Sequence, residues 1–123
     1  MNIKSMDLAW ITVKDAKKSV EFFTKILGLT ISSGAEEYAW YELQGKDGGA
    51  MLGVGQWCDK SPQLPSKNAV MTMTVDDIVV AKSHLEKHGV QLVGDIMEVP
   101  GHVKMQMFSD LDGNLFQLVQ KLN

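Results

Sequence analysis

The side chains able to do chemistry are few and scattered along this chain. His84 and His88 stand four residues apart in a helical stretch, a spacing that can hold zinc. No cysteine accompanies them and the glutamate of an HExxH motif is missing, so they read as a solvated helix end. His88 also suits the negative end of the helix dipole. His102, in VPGHVK, is the best-placed candidate general base and Glu98 the second, since ionisable groups beside a cleft can move protons. Asp110, Asp112 and Asn114 have the carboxylate-rich look of a calcium loop. A calcium loop needs glycine at its sixth position and glutamate at its twelfth, and counting from Asp110 puts Gly113 fourth and Lys121 twelfth. These residues therefore read as a turn. Cys58 is a single thiol with no activating base nearby in sequence. Gln117 is the one polar residue in the apolar run LFQLV, where an amide can pair with backbone or anchor a ligand by donating and accepting.

Composition narrows the classes of function. The chain has 123 residues, 45% apolar and 22% charged, which suits one domain spanning residues 1–123 with a core of its own. Net charge is −3 and every basic residue is lysine, so nucleic acid is a poor partner. Without arginine the usual bidentate clamp for phosphate or carboxylate is missing too. One cysteine fits a reducing cytoplasm. The segment MNIKSMDLAW lacks the apolar core of a signal peptide, and no apolar run approaches a membrane span. Eight methionines are many; they read first as core filling, although methionine also lines adaptable pockets.

The elements that must position these groups come as two similar halves. Residues 6–13 alternate as a strand, with Ala9, Ile11 and Val13 on one face and Leu8, Trp10 and Thr12 on the other. Asp15 is a plausible N-cap for a helix over residues 16–27, where Val20, Phe23 and Leu27 recur at helical spacing and Gly28 stops it. Short strands are expected near 29–33, 38–44 and 50–55. Residues 56–67, with Pro62 and Pro65, read as a linker. The plan then restarts: a strand at 68–75, Asp77 capping a helix to about residue 88, Gly89 stopping it. Strands follow at 90–93 and 96–99 (or one irregular strand), 103–109 and 115–121, the last two joined through Asp112-Gly113. The expected architecture is α+β: two tandem β-α-β-β-β modules, about 6–55 and 68–121, forming a curved mixed sheet that encloses a cleft. Clefts are where small molecules bind. Tyr38, Trp40, Tyr41 and Trp57 add aromatics to the first module, and the alternation does not tell which of Tyr38 and Trp40 versus Tyr41 faces inward.

Three stretches, VKDAKKSVEFFTKILGL (13–29), VDDIVVAKSHLEKHGV (75–90) and FSDLDGNLFQLVQ (108–120), carry a likeness over nearly the whole chain. The sequence resembles the vicinal oxygen chelate superfamily, the glyoxalase/bleomycin resistance protein/dioxygenase group, with Leu111 where the DPDGN signature has proline. The resemblance implies paired β-α-β-β-β modules. In metal-dependent members it implies histidine on the first strand of each module and glutamate on the last. Those four positions fall here on Leu8, Val70, near Gly53, and on Gln117, none of which is a usual metal ligand. The expectation is therefore a metal-independent small-molecule-binding protein with no cofactor. Its apolar or aromatic ligand would lie among Leu8, Trp10, Met51, Gly53, Val70, Thr72 and Gln117. The resemblance also implies a homodimer. The alternative is a lyase, isomerase or dioxygenase-like enzyme acting on a small oxygenated substrate, with His102 or Glu98 moving protons and a divalent metal recruited. A third possibility is an interaction domain with a filled cleft.

Overall fold

The computed structural model describes residues 1–58 and 64–123. The chain divides into two units, Met1–Leu64 and Pro65–Asn123. The first runs β1 (Leu8–Val13), α1 (Ala16–Glu21), a π-helical turn (Phe22–Ile26), β2 (Thr30–Ala35), a 3-10 turn (Glu36–Tyr38), β3 (Trp40–Gly45) and β4 (Gly48–Gln56). Its sheet has the order β1-β4-β3-β2, with β1 and β4 parallel and the other pairs antiparallel. Strand alternation gives the sheet two unlike faces. One buries Ile11, Val13, Leu43, Leu52 and Val54 beneath Ala16, Val20, Phe22 and Phe23 of the helical segment. Each of the Val, Leu, Ile and Phe side chains, taken fully from water, contributes about 1.5–3 kcal/mol. Asp15 caps α1 by accepting from the amide of Lys18 at 3.1 Å.

The second unit repeats the plan: β5 (Met71–Thr74), α2 (Ile78–Lys87), β6 (Gln91–Val99), β7 (Val103–Ser109) and β8 (Leu115–Lys121). Strand order is β5-β8-β7-β6, again with the outer pair β5 and β8 parallel. Ile78, Leu85, Val90, Phe108, Phe116 and Leu118 are buried, and the paired Phe108 and Phe116 stack with centroids 5.6 Å apart. Asp77 caps α2 by accepting from the amides of Val79 and Val80.

The two helices start in the same way. The Ala16 amide donates to Gln56 Oε1 at 3.0 Å, and the Ile78 amide donates to Gln120 Oε1 at 2.9 Å. In each unit the glutamine near the end of the last strand satisfies a free helix amide that no other backbone group can reach. These matching bonds fix the equivalence of the modules residue by residue. Gly53 stands three before Gln56 as Gln117 stands three before Gln120, and Leu8 corresponds to Val70 as Asp15 does to Asp77.

Several boundaries differ from expectation. The first helix is α-helical only to Glu21 and then widens into the π turn. There the Thr24 hydroxyl donates back to the Val20 carbonyl at 2.7 Å, competing with the α ladder. The strand expected at 38–44 begins at Trp40, because Tyr38 belongs to the 3-10 turn and Ala39 takes a left-handed φ of 50°. The strand expected at 68–75 is confined to Met71–Thr74, so Val70 precedes it. Residues 90–99 form one strand, irregular between Val93 and Met97 around Gly94. Of the linker, residues 59–63, including Pro62, lie outside the described residues, and its last part is anchored. The Ser66 amide donates to Asn114 Oδ1 at 2.8 Å, the Leu115 amide to the Ser66 carbonyl at 2.8 Å, and Pro65 sits against Gly113.

Candidate functional site

On the first sheet, the face away from the helix carries Leu8 and Trp10 from β1, Met51 and Gly53 from β4, and Trp40 and Glu42 from β3. Register places Leu8 beside Met51, and it places Trp10, Gly53 and Glu42 in one row across three strands. Trp10 remains 53% exposed, although it is a large apolar side chain in a regular strand. The six-membered ring of Trp40 lies over Gly53 and Gly55. A Cβ at Gly53 would come within 2.6 Å of Trp40 Cη2 and 2.7 Å of Trp10 Cβ, so only glycine fits under that ring. The two indoles meet edge to face with centroids 5.8 Å apart. Trp40 Nε1 donates to Glu42 Oε2 at 2.9 Å, and the Ser33 hydroxyl donates to Glu42 Oε1 at 2.8 Å. The indole N–H, and after it the Ser33 hydroxyl, hold the Glu42 carboxyl below the usual carboxylate range. Tyr41, one residue along the strand, falls on the opposite face in the row of Val54 and Ile11, and Tyr38 lies outside the strand.

On the second sheet, the corresponding face carries Thr72 and Gln117, paired across β5 and β8, with Met107 next in the row. Gln117 Nε2 donates to the Thr72 hydroxyl at 3.2 Å, leaving the amide oxygen for another donor. Val70 is half-buried at the foot of β5. Glu98 pairs with Lys104, a row that alternates away from Met107 and Gln117, so its carboxylate is on the helix side of the sheet. His102 sits in the exposed turn between β6 and β7, where its backbone bonds Val99 and Leu122.

Each expected site residue thus has a place within its own unit. Leu8, Trp10, Met51 and Gly53 share one face, Thr72 and Gln117 are bonded on another, and Glu98 is apart from the latter pair. Glu42 and the inward choice of Trp40 escaped the sequence reading. A glutamate in an alternating strand reads as solvated, and only the Gly53-x-Gly55 spacing on the neighbouring strand hints that a large ring lies across it. The remaining chemical groups are structural. His88 Nδ1 lies 2.9 Å from the His84 carbonyl, which can only accept, so Nδ1 carries the proton and caps the last turn of α2. Asp110 Oδ1 accepts from the amides of Asp112 and Asn114, and Oδ2 from the Asn114 side chain, which closes the turn. Burial pushes the Asp110 carboxyl up from its ordinary value, against the pull of those hydrogen bonds.

The family model of the glyoxalase/bleomycin resistance protein/dioxygenase superfamily matches residues 5–118. The chain belongs to that superfamily. Solved structures share its fold at low identity. A superfamily member from Sphaerobacter thermophilus is 22% identical over 97% of this chain and 98% of its own, with a TM-score of 0.83. TnmS3, an antibiotic binding protein from Streptomyces sp. CB03234, is 23% identical over 98% of both chains, with a TM-score of 0.78. The fosfomycin resistance protein FosX from Listeria monocytogenes is 15% identical over 97% of this chain and 94% of its own, with a TM-score of 0.77. No curated protein matches the chain in sequence.

The superfamily's metal centre does not fit the residues present. Leu8 and Val70 carry no donor atom, and Gln117 is a neutral amide already bonded to Thr72. At Gly53 there is no room for any side chain, because Trp40 occupies the space a ligating carboxylate would need. Among the described residues no group of three His, Cys, Asp or Glu side chains could hold a metal ion. In place of donors, the first sheet offers an aromatic face.

Proposed function

We propose that this superfamily member is a small-molecule-binding protein that works without a metal ion, taking an apolar or aromatic guest on the first-sheet face that carries Trp10 and Trp40. The observation that carries the reading is the Trp40 ring over Gly53: a position equivalent to that of Gln117 is given over to indole, and glycine is required beneath it. An indole held by a hydrogen bond at Nε1 and by a second indole at its side is preorganised, which lowers the ordering cost of stacking a planar guest. Antibiotic binding by TnmS3 and fosfomycin resistance by FosX show that relatives of this fold handle small molecules. The proposal includes a homodimer working in the cytoplasm.

Thermal unfolding against planar aromatic compounds, with and without a chelator, tests the reading. A guest at a hundredfold excess over its Kd stabilises by about 2.7 kcal/mol. The expected result is a saturable rise in Tm that the chelator does not change. Stoichiometric metal in purified protein, or metal-stimulated conversion of methylglyoxal with glutathione, would favour the lyase alternative and overturn the proposal.

A further inference from the structure

The first sheet has a charge as well as a platform. Glu42 is two residues from Trp40 on β3, and its carboxylate is fixed at the rim of the indole by Nε1 at 2.9 Å and by Ser33 Oγ at 2.8 Å. Each oxygen therefore accepts one bond, while an ionised carboxylate offers about four lone-pair sites in all. Among the described residues the one ion pair is Lys25–Glu21, and no described lysine forms an ion pair with Glu42. Trp10 and Trp40 meet edge to face beside this carboxylate, and the electron-rich face of an aromatic ring attracts a cation lying over it, whereas its edge does not. A neutral guest would gain only stacking here. A guest with a positive charge would gain the ring faces and the carboxylate together. A carboxylic acid or phosphate would meet Glu42 as a like charge.

Resting on the small-molecule reading above, we infer that this face selects planar organic cations, such as protonated amino-heterocycles, with an N–H aimed at Glu42 and the ring stacked on Trp10. Ser33 and the Trp40 indole act as positioning groups: they hold the carboxylate in one rotamer, so that the guest does not have to order it. Trp10, more than half exposed, is the wall that contacts the guest.

The experiment compares two probes of nearly equal shape, 9-aminoacridine as its cation and neutral acridine, at a pH where only the first is charged. Binding to the full chain is read by calorimetry for wild type, Glu42→Gln, Trp10→Ala and, as a control, Lys25→Ala on the far helix. Glu42→Gln keeps an oxygen for the Trp40 N–H, puts an amide NH2 beside the Ser33 hydroxyl, which can accept from it, and removes the charge. The expected result is that the cation binds at least about tenfold more tightly than acridine, that Glu42→Gln brings the two affinities together, and that Trp10→Ala weakens both. Lys25→Ala should match wild type. Equal affinities in wild type, with both probes bound, would overturn the cation selectivity and leave the small-molecule reading standing. Binding of neither probe, as when a second copy of the chain covers this face, would overturn both.

Discussion

Asp110 shows how one carboxylate can be costly and needed at once. It accepts three hydrogen bonds that close the turn, and burial raises its pKa from 3.8. Asp110→Asn puts an amide NH2 against the Asn114 amide NH2, so two donors face each other; urea unfolding should show a loss of about 1–3 kcal/mol. The pH dependence has a definite sign. In the native protein Asp110 holds its proton to higher pH than in the unfolded chain, so its contribution falls as pH rises from 3.8 through the raised native value. Wild type should therefore gain on Asp110→Asn as pH is lowered through that window, and the difference should be flat above it. A gap that widens with rising pH would contradict this. Gly53→Ala forces Trp40 or Trp10 to move, so tryptophan emission should shift and stability should fall by about 1–3 kcal/mol. Gln117→Glu alone should not bring tight metal uptake, because Leu8, Val70 and Gly53 still supply no donor.

Among the elements, the two glutamine caps are the clearest mark of duplication. Gln56→Ala or Gln120→Ala strips a helix amide of its acceptor, and each should cost about 1 kcal/mol in denaturant midpoint measurements. If both substitutions are neutral, water serves those amides equally well. Neither cap was legible in the sequence, since each glutamine is about forty residues from the helix it serves. The helices themselves were legible, because Asp15 and Asp77 signal their starts and Gly28 and Gly89 their ends locally. The π turn at Phe22–Ile26 was not, because Phe22 and Phe23 are both buried while an α-helical stripe accommodates either reading. The faces of β1 followed from alternation, whereas β8 is apolar on both faces and alternation alone did not place Gln117. Trp40 did not declare its face, because Ala39 takes a left-handed φ and resets the alternation between Tyr38 and the strand.

For the molecule as a whole, the fold carries further than the sequence. Solved structures at 15–23% identity cover nearly all of the chain, so the backbone fold is shared where most of the sequence differs. That is why superfamily membership could be read from three short stretches while the guest could not. The positions where the resemblance puts metal ligands, Leu8, Gly53, Val70 and Gln117, were visible as residue types; the indole over two glycines beside a fixed carboxylate was not, because it depends on contacts between strands. Among the described residues no helix is long and apolar enough to cross a membrane. On the proposed reading the protein binds a planar guest without a metal ion. The most direct test is calorimetric titration of chelator-treated protein with 9-aminoacridine, repeated with added Zn²⁺, Mn²⁺ or Mg²⁺. The expected result is one Kd, unchanged by any of the ions. Binding that appears only after a metal is added would contradict it.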